Sequence, residues 1–351
     1  MKGTFTYANP KVVHWGAGSV DHAGAELARL GARRVALVTT RSLVAEAGLL
    51  EKVRGAMGEA TTVATVTITQ HAPLAQVDAA VEKAADARAD SVVSFGGGSA
   101  IDAAKMLAVR LADRDGPAPR GLPHVAIPTT LSVAELAGGA GYTNAAGDKA
   151  GMRDPRLLAD VAIYDAELTL ATPIQLWLST GIRALDHAVE GFLADGEHPF
   201  SDALALESIR RLFESLPRAK AAPRDVGVRT ENQLAAWFSF TLPGQSAGGL
   251  SHVMGKQIGA RHGIPHGVTS CLLLPHVIRY LARRKPGRIA ALEASMGRSP
   301  ADAVQGLISS LELPQHVAAY GIGETELRRA AGELAGTHAE KDLLEIYLAA
   351  I

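Results

Sequence analysis

The sequence holds one cysteine, Cys271. A lone thiol closes no disulfide within the chain and builds no cysteine-rich metal site, which suits a reducing cytoplasm. Aromatic side chains make up only 5% of the residues, with Ala and Gly abundant in their place. An excess of charge of either sign is missing too. With a formal net charge of −1 the chain has no electrostatic reason to replace the counterions of a phosphate backbone, so no nucleic-acid partner is expected. No hydrophobic run approaches the ~18 residues that read as a membrane span, and Met1-Lys2-Gly3-Thr4-Phe5-Thr6-Tyr7 lacks the apolar stretch of a signal peptide. Internal repeats and low-complexity segments are absent as well. Hydrophobic residues at 47% and charged ones at 20% give an ordinary globular composition. A soluble, cytoplasmic protein with no membrane partner is expected.

What is present centres on Ser91-Val-Val-Ser-Phe-Gly-Gly-Gly-Ser-Ala-Ile-Asp-Ala-Ala-Lys105, a short apolar run that meets three glycines and then a helical pattern. It reads as strand, phosphate loop and helix. Gly96, Gly97 and Gly98 can take φ > 0 and let a ligand approach the backbone, and amides at the start of the following helix favour an anion. Ser99 and Asp102 have capping-box spacing, which would start the helix there. The bland alternative is a tight turn that binds nothing.

Around this stretch the chain alternates. Strands are expected over 35–38, 61–69, 124–127 and 161–164, and helices over 21–30, 43–57, 74–89 and from the glycines to about 112. That alternation predicts a parallel α/β sheet. Ligands in such sheets bind beyond the carboxyl ends of strands, where Thr39, Thr40, Gly96 to Ser99, Thr129, Thr130 and Ser132 stand. A nucleotide site is the expectation. Residues 4–14 suggest an opening hairpin able to add a strand across a homodimer, and 132–160 an irregular flap.

From Thr172-Pro173, a strong helix start, nearly everything reads as helix. Segments are expected over 173–179, 180–194, 200–216, 225–241, 246–260, 268–283, 286–296, 300–312, 324–334 and 339–349. The expected fold class is therefore an α/β N-terminal domain with a parallel nucleotide-binding sheet, residues 1–170, plus an all-α C-terminal domain, residues 171–351. Histidines concentrate in the second. Arg183 and His187 stand four apart on one helix face, His252 and Lys256 repeat that spacing, and His262 and His266 follow in a Gly/Pro loop. His14, His22, His71 and His338 read as structural.

With Gly-Gly-Gly-Ser-Ala-Ile-Asp-Ala-Ala-Lys at 96–105, Pro-Thr-Thr-Leu-Ser at 128–132, Asp165-Ala-Glu-Leu-Thr-Leu, Gly-Ile-Arg-Ala-Leu-Asp-His-Ala-Val-Glu at 181–190 and Pro-His-Gly at 265–267, the whole chain resembles the iron-containing alcohol dehydrogenase family. The resemblance implies a dehydroquinate synthase-like fold in which a nucleotide-binding domain and a helical domain share a cleft. It also implies cofactor contacts from Asp102 and Lys149. Metal-holding members use an Asp, a His four residues later and two further His; the matching positions here are Arg183, His187, His252 and His266. A guanidinium has no lone pair to donate and repels a cation, so a metal is not expected; iron or zinc on His187, His252 and His266 is the alternative. Lys256 stands where many members have another His. Together with Arg183 it resembles the maleylacetate reductase branch, which needs no metal and reduces a small keto acid.

The expected function is NADPH- or NADH-dependent reduction of a carbonyl in a small, carboxylate-bearing substrate. Gly97, Gly98 and Ser99 would bind the pyrophosphate, and Thr129, Thr130 and Ser132 would line the nicotinamide end. His187, His252, His266 and Lys256 would supply a proton or stabilise an oxyanion, and Arg183 would hold the carboxylate bidentately. No acidic residue stands at Thr40 to repel a 2′-phosphate and Arg41 is adjacent, so NADPH is expected to be accepted. Alternatively Arg183 pairs with Asp186 or Glu190 and Lys256 faces solvent. Rival functions are a metal-dependent alcohol dehydrogenase, a lyase or cyclase using NAD transiently, and a nucleotide-binding protein without catalysis.

Overall fold

Apolar runs rich in Val, Ala, Leu and Ile become strands buried on both faces. A computed structural model of the chain describes residues 10–196, 198–240, 249–336 and 338–351. Two compact units emerge: 10–173 with Arg224–Leu234, and Ile174–Pro223 with Ala235–Ile351.

In the first unit the strands are β1 Val12–Trp15, β2 Arg34–Thr39, β3 Thr61–Thr67, β4 Ser91–Gly96, β5 His124–Pro128, β6 Gly139–Thr143, β7 Lys149–Arg153 and β8 Val161–Tyr164. Six of them form one sheet in the order β1-β8-β5-β4-β2-β3, with every pairing parallel. Its helices are α1 Ala23–Arg29, α2 Arg41–Ala45, α3 Ala47–Ala56, α4 Leu74–Asp86 and α5 Gly98–Ala112. Alternate residues of each strand serve opposite layers. Ala36, Val38 and Val92 pack with Val77, Ala80, Met106 and Leu107 of α4 and α5. On the other face Leu37, Val93, Phe95 and Ile127 pack with Leu27 of α1, Val53 of α3 and Met57 just after α3.

This order places the topological switch point. From β2 the chain moves outward to β3, then returns to lay β4 on the other side of β2 and continues toward β5 and β8. The carboxyl ends of β2 and β4 therefore flank the crevice where ligands bind in open α/β sheets. Thr40 and Gly96 meet there, since a Cβ added to Gly96 would lie 3.6 Å from Thr40 Cγ2.

Two expectations need correction in this unit. The described part of the opening segment, β1, is a parallel edge strand paired with β8 through Val12↔Val161 and Val13↔Ala162, not an arm of a hairpin; residues 4–9 lie outside the described residues. The stretch over 132–160 is not wholly irregular. It contains an antiparallel hairpin of β6 and β7, closed by Asn144, whose Oδ1 accepts from the amides of Ala146 and Asp148.

The second unit is built on α6 Ile174–Phe192, α7 Pro199–Ala221, α9 Leu250–His262, α10 His266–Ala282, α11 Pro286–Met296, α12 Pro300–Ser310, α13 Glu324–Leu334 and α14 Glu340–Leu348; between α7 and α9 comes α8 Val226–Ser239, which spans the division between the units. The predicted break at 179–180 does not occur. Ser179 and Thr180 return their hydroxyls to Leu176 O and Trp177 O, 2.9–3.1 Å away, so these residues satisfy themselves inside one helix. His262 and His266 do not sit in a loop either: one ends α9 and the other begins α10, joined by Gly263 in the left-handed region at φ 64°. Expected helical residues 241 and 246–248 lie outside the described residues. Among the described residues no helix is long and apolar enough to cross a membrane.

Candidate active site

The glycine loop ends β4 and opens α5. Gly97 is the N-cap in extended geometry, φ −81° and ψ −172°, and no side chain caps the helix. Ala100 N and Ile101 N both donate to Gly97 O, at 3.0 and 3.2 Å, so the amides of Gly98 and Ser99 are the ones offered to an anion. The expected capping box does not form, because both of its members are used elsewhere: Ser99 Oγ accepts from His71 N at 2.9 Å, and Asp102 Oδ2 accepts from Gly141 N at 3.0 Å. Of the three glycines only Gly96 has a positive φ, 158°. Gly97 and Gly98 instead keep the backbone close to neighbouring side chains. A Cβ on Gly97 would meet Thr130 Cγ2 at 3.0 Å, and one on Gly98 would meet Ser132 Oγ at 3.1 Å.

Thr40, Gly96 to Ser99, Asp102, Thr130, Ser132 and Lys149 are in this way brought into one neighbourhood at the strand ends. Thr130 Oγ1 donates to Ser132 Oγ at 3.2 Å. Lys149 reaches His71 Nδ1 at 3.1 Å. Thr39 and Thr129 are buried, 0% and 4% exposed, while Arg41 is exposed on the first turn of α2. His71, read from sequence as structural, belongs to this neighbourhood. It follows the carboxyl end of β3, so the strand-end rule applied to β3 would have found it. Burial, then Lys149, lower its pKa to about 4, leaving a neutral ring beside the ammonium.

Lys105 was part of the motif but had no assigned role. Its Nζ is fully buried and donates to Ala134 O at 2.7 Å, to Ala137 O at 3.1 Å and to Gly139 O, with Asp102 Oδ1 at 3.1 Å. One ammonium therefore ties α5 to the chain that carries Ser132 and the hairpin.

The histidine cluster belongs to the helical unit. α6 presents Arg183, Asp186, His187 and Glu190, all buried. The guanidinium of Arg183 is 5% exposed and is committed within the protein. Nη1 donates to Ser270 Oγ at 2.9 Å and faces Asp186 Oδ2 at 3.5 Å, and Nη2 donates to His252 Nε2. Asp186 Oδ2 also accepts from Ser251 Oγ at 2.9 Å and Ser270 Oγ at 2.6 Å. Glu190 receives the amides of Gly249 and Ser251 at 2.7 and 2.6 Å and so caps α9 at its start. His252 follows on that first turn, its ring centroid 4.9 Å from that of His187. Phe240 meets His187 edge-on at 5.0 Å. His266 begins α10 and is half-buried; Lys256 is exposed.

Electrostatics follow from this burial. Desolvation first, then Arg183, hold His187 and His252 well below the ordinary histidine range, and Lys256 acts in the same direction on both. Both rings are neutral near pH 7. Burial and then Asp186 push Glu190 up to about 8. Sequence reasoning named Asp186 and Glu190 only as alternative partners for Arg183 and missed Ser251 and Ser270. Their signal was positional: Asp186 stands three residues from Arg183 on one face.

Residues 10–166 match the family described as iron-containing alcohol dehydrogenase, and residues 177–342 match the C-terminal part of the Fe-containing alcohol dehydrogenase family. A maleylacetate reductase of Pseudomonas sp. (strain P51) is 34% identical over 327 residues, covering 92% of this chain and 88% of that protein. The crystal structure of maleylacetate reductase from Agrobacterium tumefaciens aligns with a TM-score of 0.88 at 30% identity, over 100% of this chain and 99% of that one. That of sulfoacetaldehyde reductase from Bifidobacterium kashiwanohense in complex with NAD+ gives 0.87 at 25% identity, over 99% of each chain. The chain belongs to the iron-containing alcohol dehydrogenase family. Within it, this is a maleylacetate reductase-like enzyme, an NAD(P)-dependent oxidoreductase.

The family's two implied groups fare differently against these residues. A dinucleotide fits: the loop is uncapped, its glycines let the backbone lie against Thr130 and Ser132, and Lys149 stands nearby. Iron does not fit the matched positions. Arg183 has no lone pair, and its Nη2 occupies the Nε2 lone pair that His252 would need for ligation. A different trio, Asp186, Glu190 and His252, brings ligand-type atoms within 4.8 Å of one another. There Asp186 already accepts from two hydroxyls beside a guanidinium, and both Glu190 oxygens are held by backbone amides.

Proposed function

We propose that this enzyme uses NADPH or NADH to reduce the carbonyl of a small carboxylate-bearing substrate, of the maleylacetate kind, without a required metal. The observation that carries this reading is the Arg183–His252 bond, which puts a fixed cation and a neutral imidazole where a metal centre would need a carboxylate and a free imidazole. When bound, the dinucleotide supplies hydride. Gly97, Gly98 and Ser99 hold its pyrophosphate at the start of α5, with Thr130, Ser132 and Lys149 around it. Thr40 and Arg41 at the end of β2 accept a 2′-phosphate, since no acidic side chain stands there.

The helical unit supplies the groups for the carbonyl: His187, His252, His266 and Lys256. Arg183 is turned inward and paired, so its part in anion preference is its field, not a bidentate grip on the substrate. Lys256, exposed and close enough to depress both imidazoles, is the cation an incoming carboxylate meets.

A second reading, a metal-dependent alcohol dehydrogenase, is favoured by the Asp186, Glu190 and His252 trio. One experiment separates the two. NADPH and NADH oxidation is followed with maleylacetate, succinic semialdehyde and short neutral aldehydes, before and after chelation, alongside metal analysis of protein purified without chelator. Turnover of the acids that survives chelation is expected. Stoichiometric iron or zinc needed for turnover would establish the second reading, and turnover of neutral aldehydes alone would remove the carboxylate from the first.

A further inference from the structure

Arginine only donates hydrogen bonds, because its guanidinium stays protonated in proteins and has no acceptor. The contact between Arg183 Nη2 and His252 Nε2 therefore has one possible sense: Nε2 accepts. A neutral imidazole whose Nε2 accepts carries its proton on Nδ1. That Nδ1 is buried and has no hydrogen-bond partner among the described residues, although buried donors are nearly always paired. Nδ1 of His187 and Nδ1 of His266 are likewise buried without a hydrogen-bond partner among the described residues, but only His252 also has its Nε2 held by Arg183.

The arrangement behind it is closed. Asp186, 0% exposed, accepts from Ser251 and Ser270 and faces Arg183 Nη1; Ser270 Oγ also accepts from Arg183. Glu190 holds the first turn of α9, on which His252 sits, through two backbone amides. An arginine in place of a ligand carboxylate would by itself be an uncompensated buried cation. With Asp186 three residues on, it is a neutralised fork whose free end points at one nitrogen.

We propose that Arg183 and Asp186 form a positioning pair that fixes His252 as its Nδ1–H tautomer, and that this Nδ1–H is the donor that meets the substrate's carbonyl oxygen during reduction. The inference rests on the reductase reading above. When bound, the dihydronicotinamide would supply the hydride that reduces the carbonyl carbon and would itself be oxidised. The C=O π pair would move to oxygen, where the Nδ1–H of His252 would stabilise the alkoxide, and solvent water would supply the proton that completes the alcohol. His252 touches the reacting oxygen and is the catalytic residue, whereas Arg183 and Asp186 act through it.

The test combines spectroscopy with kinetics on the full chain. Long-range 1H–15N correlation spectra of 15N-histidine-labelled, metal-free enzyme, assigned with His252→Gln, are expected to show His252 protonated at Nδ1, and to lose that uniformity in Arg183→Met. The Nε2–H form in the native enzyme would overturn the proposal whatever the activity. His252→Ala is expected to lower kcat by about 10²-fold, the scale of one oxyanion donor, with KM and NADPH affinity little changed. Asp186→Asn and Arg183→Met are expected to lower kcat about tenfold with KM nearly constant, and Arg183→Lys to recover part of the loss. Native turnover with His252→Ala equally active would overturn the donor role alone. A native enzyme that binds NADPH but reduces none of the carbonyl compounds would instead overturn the reductase reading, and the donor role with it.

Discussion

At the scale of single residues, Lys105 shows how a side chain can shape a binding site without facing the ligand. An ammonium withdrawn from water is tolerated only when its donors are met, and Lys105 finds the carbonyls of Ala134, Ala137 and Gly139 together with Asp102. These acceptors belong to chain flanking Ser132 and to the first strand of the hairpin, so the lysine sets where both lie relative to α5. Lys105→Met keeps the stem but strands three carbonyls and a carboxylate. It is expected to cost about 3 kcal/mol in urea unfolding and to weaken NADPH binding in a fluorescence titration. Unchanged affinity in a folded variant would show that the clamp serves stability only.

At the scale of elements, glycine separates packing from binding. Gly267 lies on α10 where a Cβ would stand 2.6 Å from the carbonyl carbon of Ser179 on α6 and 2.7 Å from its oxygen. Neither helix backbone can turn aside, so Gly267→Ala is expected to destabilise by about 3 kcal/mol, read by urea unfolding. At Gly97 the nearest atom would be Thr130 Cγ2 at 3.0 Å, the end of a side chain that can rotate. Gly97→Ala is expected to cost below about 1 kcal/mol of stability yet raise the NADPH Kd roughly tenfold, the equivalent of about 1.4 kcal/mol. A large stability loss at Gly97 would make the loop a packing device. The same contrast explains what the sequence made legible. Apolar runs ending in Thr or Gly announced the parallel strands and their ligand ends, because burial on both faces leaves a continuous hydrophobic signature. The unbroken α6 was not legible, since Ser179-Thr180-Gly181 carries the residue types of a break and only their hydroxyl bonds inside the helix reveal otherwise. The β6–β7 hairpin was hidden by its Gly-rich strands. In the candidate site, His187, His252 and Arg183 stood out by spacing, whereas Ser251 and Ser270 take meaning only from the carboxylate they share.

For the whole molecule, buried titratable groups set the pH at which the fold is most stable. Burial holds His124 at about 3 and His276 at about 4, keeps His71 at about 4, and leaves His187 and His252 well below the ordinary range. All of these regain a pKa of about 6.5 on unfolding. The unfolded chain therefore binds protons that the folded one refuses, and stability falls as pH drops below about 6.5 toward the folded values. Three buried carboxyls act in the opposite sense: Glu135 at about 7, Glu190 at about 8 and Asp186, which burial also raises, so their contribution grows as pH falls from about 8 toward their unfolded range near 4. Between about pH 7 and 8 the raised carboxyls dominate, and below that range the histidines, joined by carboxylates such as Glu207 that arginines hold low, outweigh them. Stability should thus peak near pH ~7 and decline on the acid side. His124 isolates the effect, because it lies on β5 away from the candidate site's bonds and contacts Ser94 Oγ through Nε2 at 2.9 Å. In His124→Gln the acid limb measured by urea unfolding between pH 6 and 4 should flatten by about 1.4 kcal/mol per pH unit, one proton's worth of linkage. An unaltered slope in that variant would mean that His124 is protonated in the folded protein, and the balance of histidines over carboxyls would have to be redrawn.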